Sequence, residues 1–193
     1  LMDKQTKRLV ISMIPKWLAF TVLITFVVFN SLKGQTYVEG DVVSDFGADI
    51  CYNGEGYWSY LESGLGKVTF IASFATWWGP CQSEAPQLEA IYQDYLPSGN
   101  LEIVTAGMDW NQPYNCESWA TSFGQTFPVL DDNTGNDIYA LFGVGYVPHN
   151  IVIGGDGTVI YPQSGHNLNA ILGAIEEGIS NLVLDADGDG IMD

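Results

Sequence analysis

The chain has 193 residues, 47% of them hydrophobic, with 23 acidic residues against six basic ones. That length suits one domain with a real core and short appendages. From residue 37 onward 22 carboxylates face a single cation, Lys67, so nothing there can neutralise phosphates and nucleic acid is excluded as a partner.

Lys4, Lys7, Arg8 and Lys16 precede an apolar run, Trp17 to Phe29. Thirteen helical residues reach roughly 20 Å, short of the roughly 30 Å hydrocarbon core of a bilayer. A basic stretch followed by a short apolar one reads as a secretory signal peptide over residues 1–35, cleaved between about Ser31 and Thr36. Uncleaved, it would be a membrane anchor. The run is not followed closely by a cysteine, which excludes a lipoprotein signal. The expected compartment is therefore extracytoplasmic (periplasm, cell surface or medium), where disulfides persist.

Tyr37 to Gly66, rich in Gly and Asp, predicts a hairpin or loop-rich cap. Lys67 to Phe74 ("KVTFIASF") is continuously apolar and β-branched, as a strand buried on both faces should be. Leu88, Ile91, Tyr92 and Tyr95 then recur at helical spacing, which predicts a helix from Cys81 to Tyr95. Pro97-Ser98-Gly99 stops it, and Leu101 to Asp109 predicts a second buried strand, parallel to the first through a right-handed crossover. A helix from Asn115 or Cys116 to Phe123 follows, with Asn115 as its N-cap, and a shorter one over Gly135 to Phe142. Asn150 to Ile153 and Thr158 to Tyr161 flank a Gly-Gly-Asp-Gly turn and predict a hairpin. Asn167 to Ser180 closes as an amphipathic helix with Leu168, Ile171, Leu172, Ile175 and Ile179 on one face. The expected class is α/β: three layers, a central mixed sheet with helices on both faces.

Four motifs fall in a recognisable order along this pattern: Phe74-Ala75-Thr76-Trp77, Gly79-Pro80-Cys81, Glu84-x-Pro86, and Val147-Pro148 before the hairpin. Together they resemble the thioredoxin fold, and more closely the secreted TlpA/ResA-like thiol–disulfide oxidoreductases, over roughly Val38 to Ser180. The resemblance implies a domain over residues 37–180, a cis Pro148 facing the redox motif, and protein thiols or disulfides as partners. It also exposes a departure. Where such proteins carry the attacking cysteine, at the N-terminus of a helix that stabilises its thiolate, this chain has Trp78. Cys81 holds the resolving position. The candidate catalytic set is thus Cys81, Trp78 and Pro148, without a first sulfur to begin the exchange.

Cys81 acting alone would resemble a peroxiredoxin, which also has a glutamate just after its cysteine. Those proteins place Thr where this chain has Trp78, and hold peroxide with an arginine. The chain's one arginine, Arg8, lies in the signal segment. Cys116 and Cys51 are candidate partner thiols. An odd count of three permits one internal disulfide at most. In this fold Cys116 lies on the same sheet edge as Cys81, so a Cys81–Cys116 pair and free thiols stay open. The favoured pairing is Cys51–Cys116, tying the cap to the domain beside the Leu101 strand. His149 and His166 are not at metal-ligand spacing; His149, just after Pro148, either borders the site or is, as favoured, a loop histidine with no ligand role. Trp77 and Trp78 read as a packing and recognition surface.

The end of the chain, "DADGDGIMD", offers carboxylates at alternating positions, Asp185, Asp187, Asp189 and Asp193, around a turn that Gly190 permits. Such spacing converges on a hard cation, Ca2+, and is similar to the start of a thrombospondin type 3 repeat, residues 181–193, continuing into a longer secreted protein. No organic cofactor is expected. Two functional readings result: an oxidoreductase-class protein impaired or rewired at its first cysteine, and a redox-inactive domain that binds extended peptide beside Trp78 and Pro148.

Overall fold

The computed structural model describes residues 37–133, 135 and 137–184. Seven strands, β1 (Gly47–Tyr52), β2 (Tyr57–Ser59), β3 (Val68–Ala75), β4 (Leu101–Met108), β5 (Val129–Asp131), β6 (His149–Ile153) and β7 (Val159–Ser164), form one sheet in the order β2-β1-β5-β4-β3-β6-β7. The parallel pairs are β3–β4 and β4–β5, and the other neighbours run antiparallel. The helices are α1 (Tyr60–Ser63), α2 (Gly79–Tyr95), α3 (Cys116–Phe123), α4 (Asp137–Phe142) and α5 (Leu168–Leu184). This is a thioredoxin-like α/β fold.

All eight residues of β3 are buried, because the strand is central and both its faces are covered. Side chains alternate between those faces. Val68, Phe70 and Ala72 pack with Leu88 and Ile91 of α2 and Ile171 and Ile175 of α5. Ile71 points the other way, into a cluster with Val104, Leu130, Ile151, Ile138 and Phe142 of α4, and with Phe46 and Tyr60 from the N-terminal segment. A third cluster closes one end of the sheet: Phe74, Cys81, Ala85, Trp119, Ala120 and Val129.

Three details differ from expectation. β5 was not anticipated; three residues are too few to show a period. It lies between β1 and β4, so the cap hairpin pairs with β5 and not directly with the Leu101 strand. The cap also contains a one-turn helix, α1, whose N-cap Ser59 accepts from the Glu62 N–H. Finally, α5 continues to Leu184, and Leu182 packs against the core, past the Ser180 boundary read from the sequence.

Candidate functional site

The site forms where β3 ends and α2 begins. Thr76 donates its hydroxyl to the carbonyls of Asp109 (2.7 Å) and Gln112 (3.2 Å), fastening the turn to the loop after β4. The Trp77 indole donates to Asp109 Oδ2 at 3.0 Å. Gln82 Nε2 donates back to the Thr76 carbonyl at 2.9 Å. Trp78 is the N-cap of α2, extended at φ −89° and ψ 115°, with no side-chain bond to the helix. Its ring meets that of Trp77 edge-on at 5.5 Å, and the two indoles are 41% and 50% exposed.

Cys81 is the third residue of α2, free and 1% exposed. Burial pushes its thiol up to about 12, and the nearby Glu84 carboxyl pushes the same way. Glu84, one turn on, is itself buried and its carboxyl is raised by burial, against the stabilising contacts around it. Asn150 Nδ2 donates to its Oε1 at 2.7 Å, and His166 Nδ1 lies 2.6 Å from the same oxygen. His166 Nε2 pairs with Gln87 Oε1 at 3.1 Å, so the segment before α5 is latched onto α2. The sequence favours a loop position for His149 and gives His166 no role. Instead His166 holds the buried acid, and His149 is the first residue of β6 and fully buried. Only the helical position of Glu84, facing inward with Leu88 and Ile91, could have signalled the network.

The Val147–Pro148 bond is cis. β3 and β6 pair with Ser73 opposite His149, and carrying that register one step further sets Pro148 beside Phe74, at the edge where Trp77 and Trp78 emerge. Val147 packs against the cluster that buries Cys81. Tyr146, just before it, is 73% exposed. Trp78, Cys81 and Pro148 therefore lie at the same end of the sheet.

Cys51 and Cys116 are bonded to each other, with Cα atoms 6.1 Å apart across 65 residues of sequence. Neither is available to pair with Cys81 in this state. Both half-buried residues nevertheless pack against the cluster that contains it. Asp185, Asp187, Asp189 and Asp193 lie outside the described residues. Among the described residues, no group of three or more His, Cys, Asp or Glu is placed to hold a metal, and no helix is long and apolar enough to cross a membrane.

A sequence profile of the AhpC/TSA family matches residues 40–162. The chain is 29% identical over 157 residues to the thiol-disulfide oxidoreductase ResA of Geobacillus thermodenitrificans, covering 81% of this chain and 87% of that protein. It is 31% identical over 100 residues to ResA of Bacillus thuringiensis, covering 52% of this chain and 56% of the relative. The chain thus spans most of the first relative and about half of the second. Among solved structures, a thioredoxin-family thiol:disulfide interchange protein from Chlorobium tepidum superposes with a TM-score of 0.61 at 21% identity, over 75% of this chain and 99% of the other. A secreted disulfide oxidoreductase of Mycobacterium tuberculosis gives 0.56 at 18% identity, over 68% and 95%. These likenesses show the fold.

Proposed function

The chain belongs to the AhpC/TSA family, and from that premise we propose that it is an extracytoplasmic protein of the thiol–disulfide oxidoreductase class whose Trp78-Gly79-Pro80-Cys81 motif no longer cycles. One observation carries this reading: at the mouth of α2 the exposed position is an indole and the remaining sulfur is buried. An exchange begins with a thiolate that can reach a disulfide. Trp78 is reachable but has no sulfur. Cys81 has a sulfur that is neither reachable nor readily ionised. The same burial argues against a one-cysteine peroxidase, which needs a thiolate open to peroxide.

What the edge retains is its surface. Trp77, Trp78 and Tyr146 expose rigid rings beside a strand end, suited to an extended peptide segment of a partner protein. That supports peptide binding as the second reading, compatible with the first. The acidic run from Asp185 is proposed as a calcium site independent of this edge.

The test is insulin reduction with dithiothreitol as electron source. Trp78→Cys restores a Cys-Gly-Pro-Cys pair and should raise turnover at least tenfold over the unmodified chain. Turnover in the unmodified chain that vanishes on Cys81→Ser would sink the proposal, because Cys81 would then be the working sulfur.

A further inference from the structure

We propose that thiol–disulfide exchange in this protein has moved to the Cys51–Cys116 pair, with Cys116 as the sulfur that forms the mixed disulfide. The proposal rests on the silent motif above and adds a second centre beside it.

Local structure treats these two cysteines unlike a buried structural tie. Cys116 is the first residue of α3, and Asn115 builds a capping box with Ser118: its side chain accepts from the Ser118 N–H, while Ser118 Oγ accepts from the Asn115 N–H. The remaining first-turn N–H groups, at Cys116 and Glu117, are the ones a helix leaves unpaired, and they favour negative charge on a sulfur at that position. Glu117, exposed on the next residue, opposes this only through solvent. Cys51 sits where the β1–β5 register slips: Ile50 faces Leu130 and Tyr52 faces Val129, leaving Cys51 without a ladder partner. Such bulges re-aim a side chain and gather near working sites. The disulfide joins this irregular point of β1 to the first residue of α3.

Position adds to local chemistry. The loop carrying Cys116 is the one that Thr76 and Trp77 fasten through Asp109 and Gln112, and the pair borders the cluster of Phe74, Cys81 and Val147. A protein segment held beside Trp77 and Trp78 would be near the cluster that holds both the buried Cys81 thiol and the half-buried disulfide, and of these only the disulfide is partly exposed.

The exchange balances. In the reduced pair the Cys116 thiolate attacks one sulfur of a partner protein's disulfide, and the partner's other sulfur leaves as a thiolate and takes a proton. Cys51, deprotonated, then attacks Cys116 Sγ, re-forming the Cys51–Cys116 bond and releasing the partner's second thiol. Two electrons pass from the two cysteines to the partner's disulfide, and the reverse sequence oxidises a partner dithiol.

The experiment is a titration of the unmodified protein in reduced/oxidised glutathione buffers. Free thiols are trapped by alkylation and mapped by mass spectrometry, and helical circular dichroism is recorded on the same samples. The expected result is reversible opening of Cys51–Cys116 with the helical signal intact and Cys81 unlabelled. In Cys51→Ser protein, oxidised glutathione should form its mixed disulfide on Cys116. Insulin reduction by the unmodified chain should fall at least tenfold on Cys116→Ser. Opening of the pair only as the helical signal collapses would overturn the proposal, as would glutathione found on Cys81. Neither outcome depends on a variant of Cys116 folding. Turnover lost on Cys81→Ser would instead overturn the silent-motif reading, so the two failures are separable.

Discussion

At pH 7 a thiol with its pKa near 12 is ionised in only about one molecule in 10^5, a penalty that follows from placing Cys81 between Phe74, Ala85 and Trp119. Restoring Cys at 78 would supply a reachable sulfur at the helix N-terminus, and Cys81 would need only to approach it. His149 is another residue whose charge burial decides. Its Nδ1 pairs with Ser164 Oγ at 3.0 Å, and burial lowers its pKa from 6.5 to about 4, against the opposing pull of the Phe142 backbone. The folded state therefore favours the neutral ring. The associated stability is complete above pH 6.5 and is lost as pH falls through 4, by about 3 kcal/mol at 1.36 kcal/mol per unit. Asp132 works with the opposite sign, since burial raises its carboxyl from 3.8 to about 6, but it is common to parent and variant. Urea unfolding of the parent and of His149→Asn should thus show the gap between them narrowing by that amount from pH 7 to pH 4. A pH-independent gap would mean that the ring charges without cost.

At the scale of elements, β4 shows what close approach demands. A Cβ on Gly107 would run into the Trp110 indole and come within 2.7 Å of Phe74. That indole packs edge-on to Phe74 and donates to Asp131 Oδ1 at 2.8 Å. Gly107→Ala should cost about 1–3 kcal/mol of overpacking and shift the Trp110 fluorescence, read by chemical unfolding. An unchanged midpoint would show that the loop yields freely. The elements legible in the sequence were mostly those with enough residues to display a period, a cap or a turn: β3, α2, β4, α3 from its Asn115 cap, the β6–β7 hairpin and α5, together with the short α4 and the hairpin of the N-terminal cap. β5 and α1 were not legible, because three or four residues take their conformation from neighbours more than from their own pattern. The motif edge was legible residue by residue. The Glu84–His166–Asn150 latch was not, since its members are 66 and 82 positions apart and only the folded chain brings them together.

For the whole molecule, charge is the dominant feature. With 22 carboxylates and one lysine from residue 37 onward, self-repulsion opposes compaction. Sodium chloride from 0.01 to 0.15 M should raise the melting temperature, because the screening length falls from about 30 to about 8 Å over that range. Calcium beyond this screening effect should bind weakly at Asp185 to Asp193 and leave the melting of the domain nearly unchanged. A large specific rise in calorimetric titration would join the tail to the core. The lone lysine has one further consequence. Lys67 lies between Cys51 and Cys116 in the chain, 42% exposed and paired with Glu102 at 3.2 Å. From residue 37 onward trypsin finds one bond to cleave, the one after Lys67, and that cut divides the domain into a short piece bearing Cys51 and a long piece bearing Cys81 and Cys116. The nicked protein would migrate as one band while the disulfide is closed and as two once it opens, so a single protease cut turns the sulfur state of the molecule into a change of apparent mass on a denaturing gel.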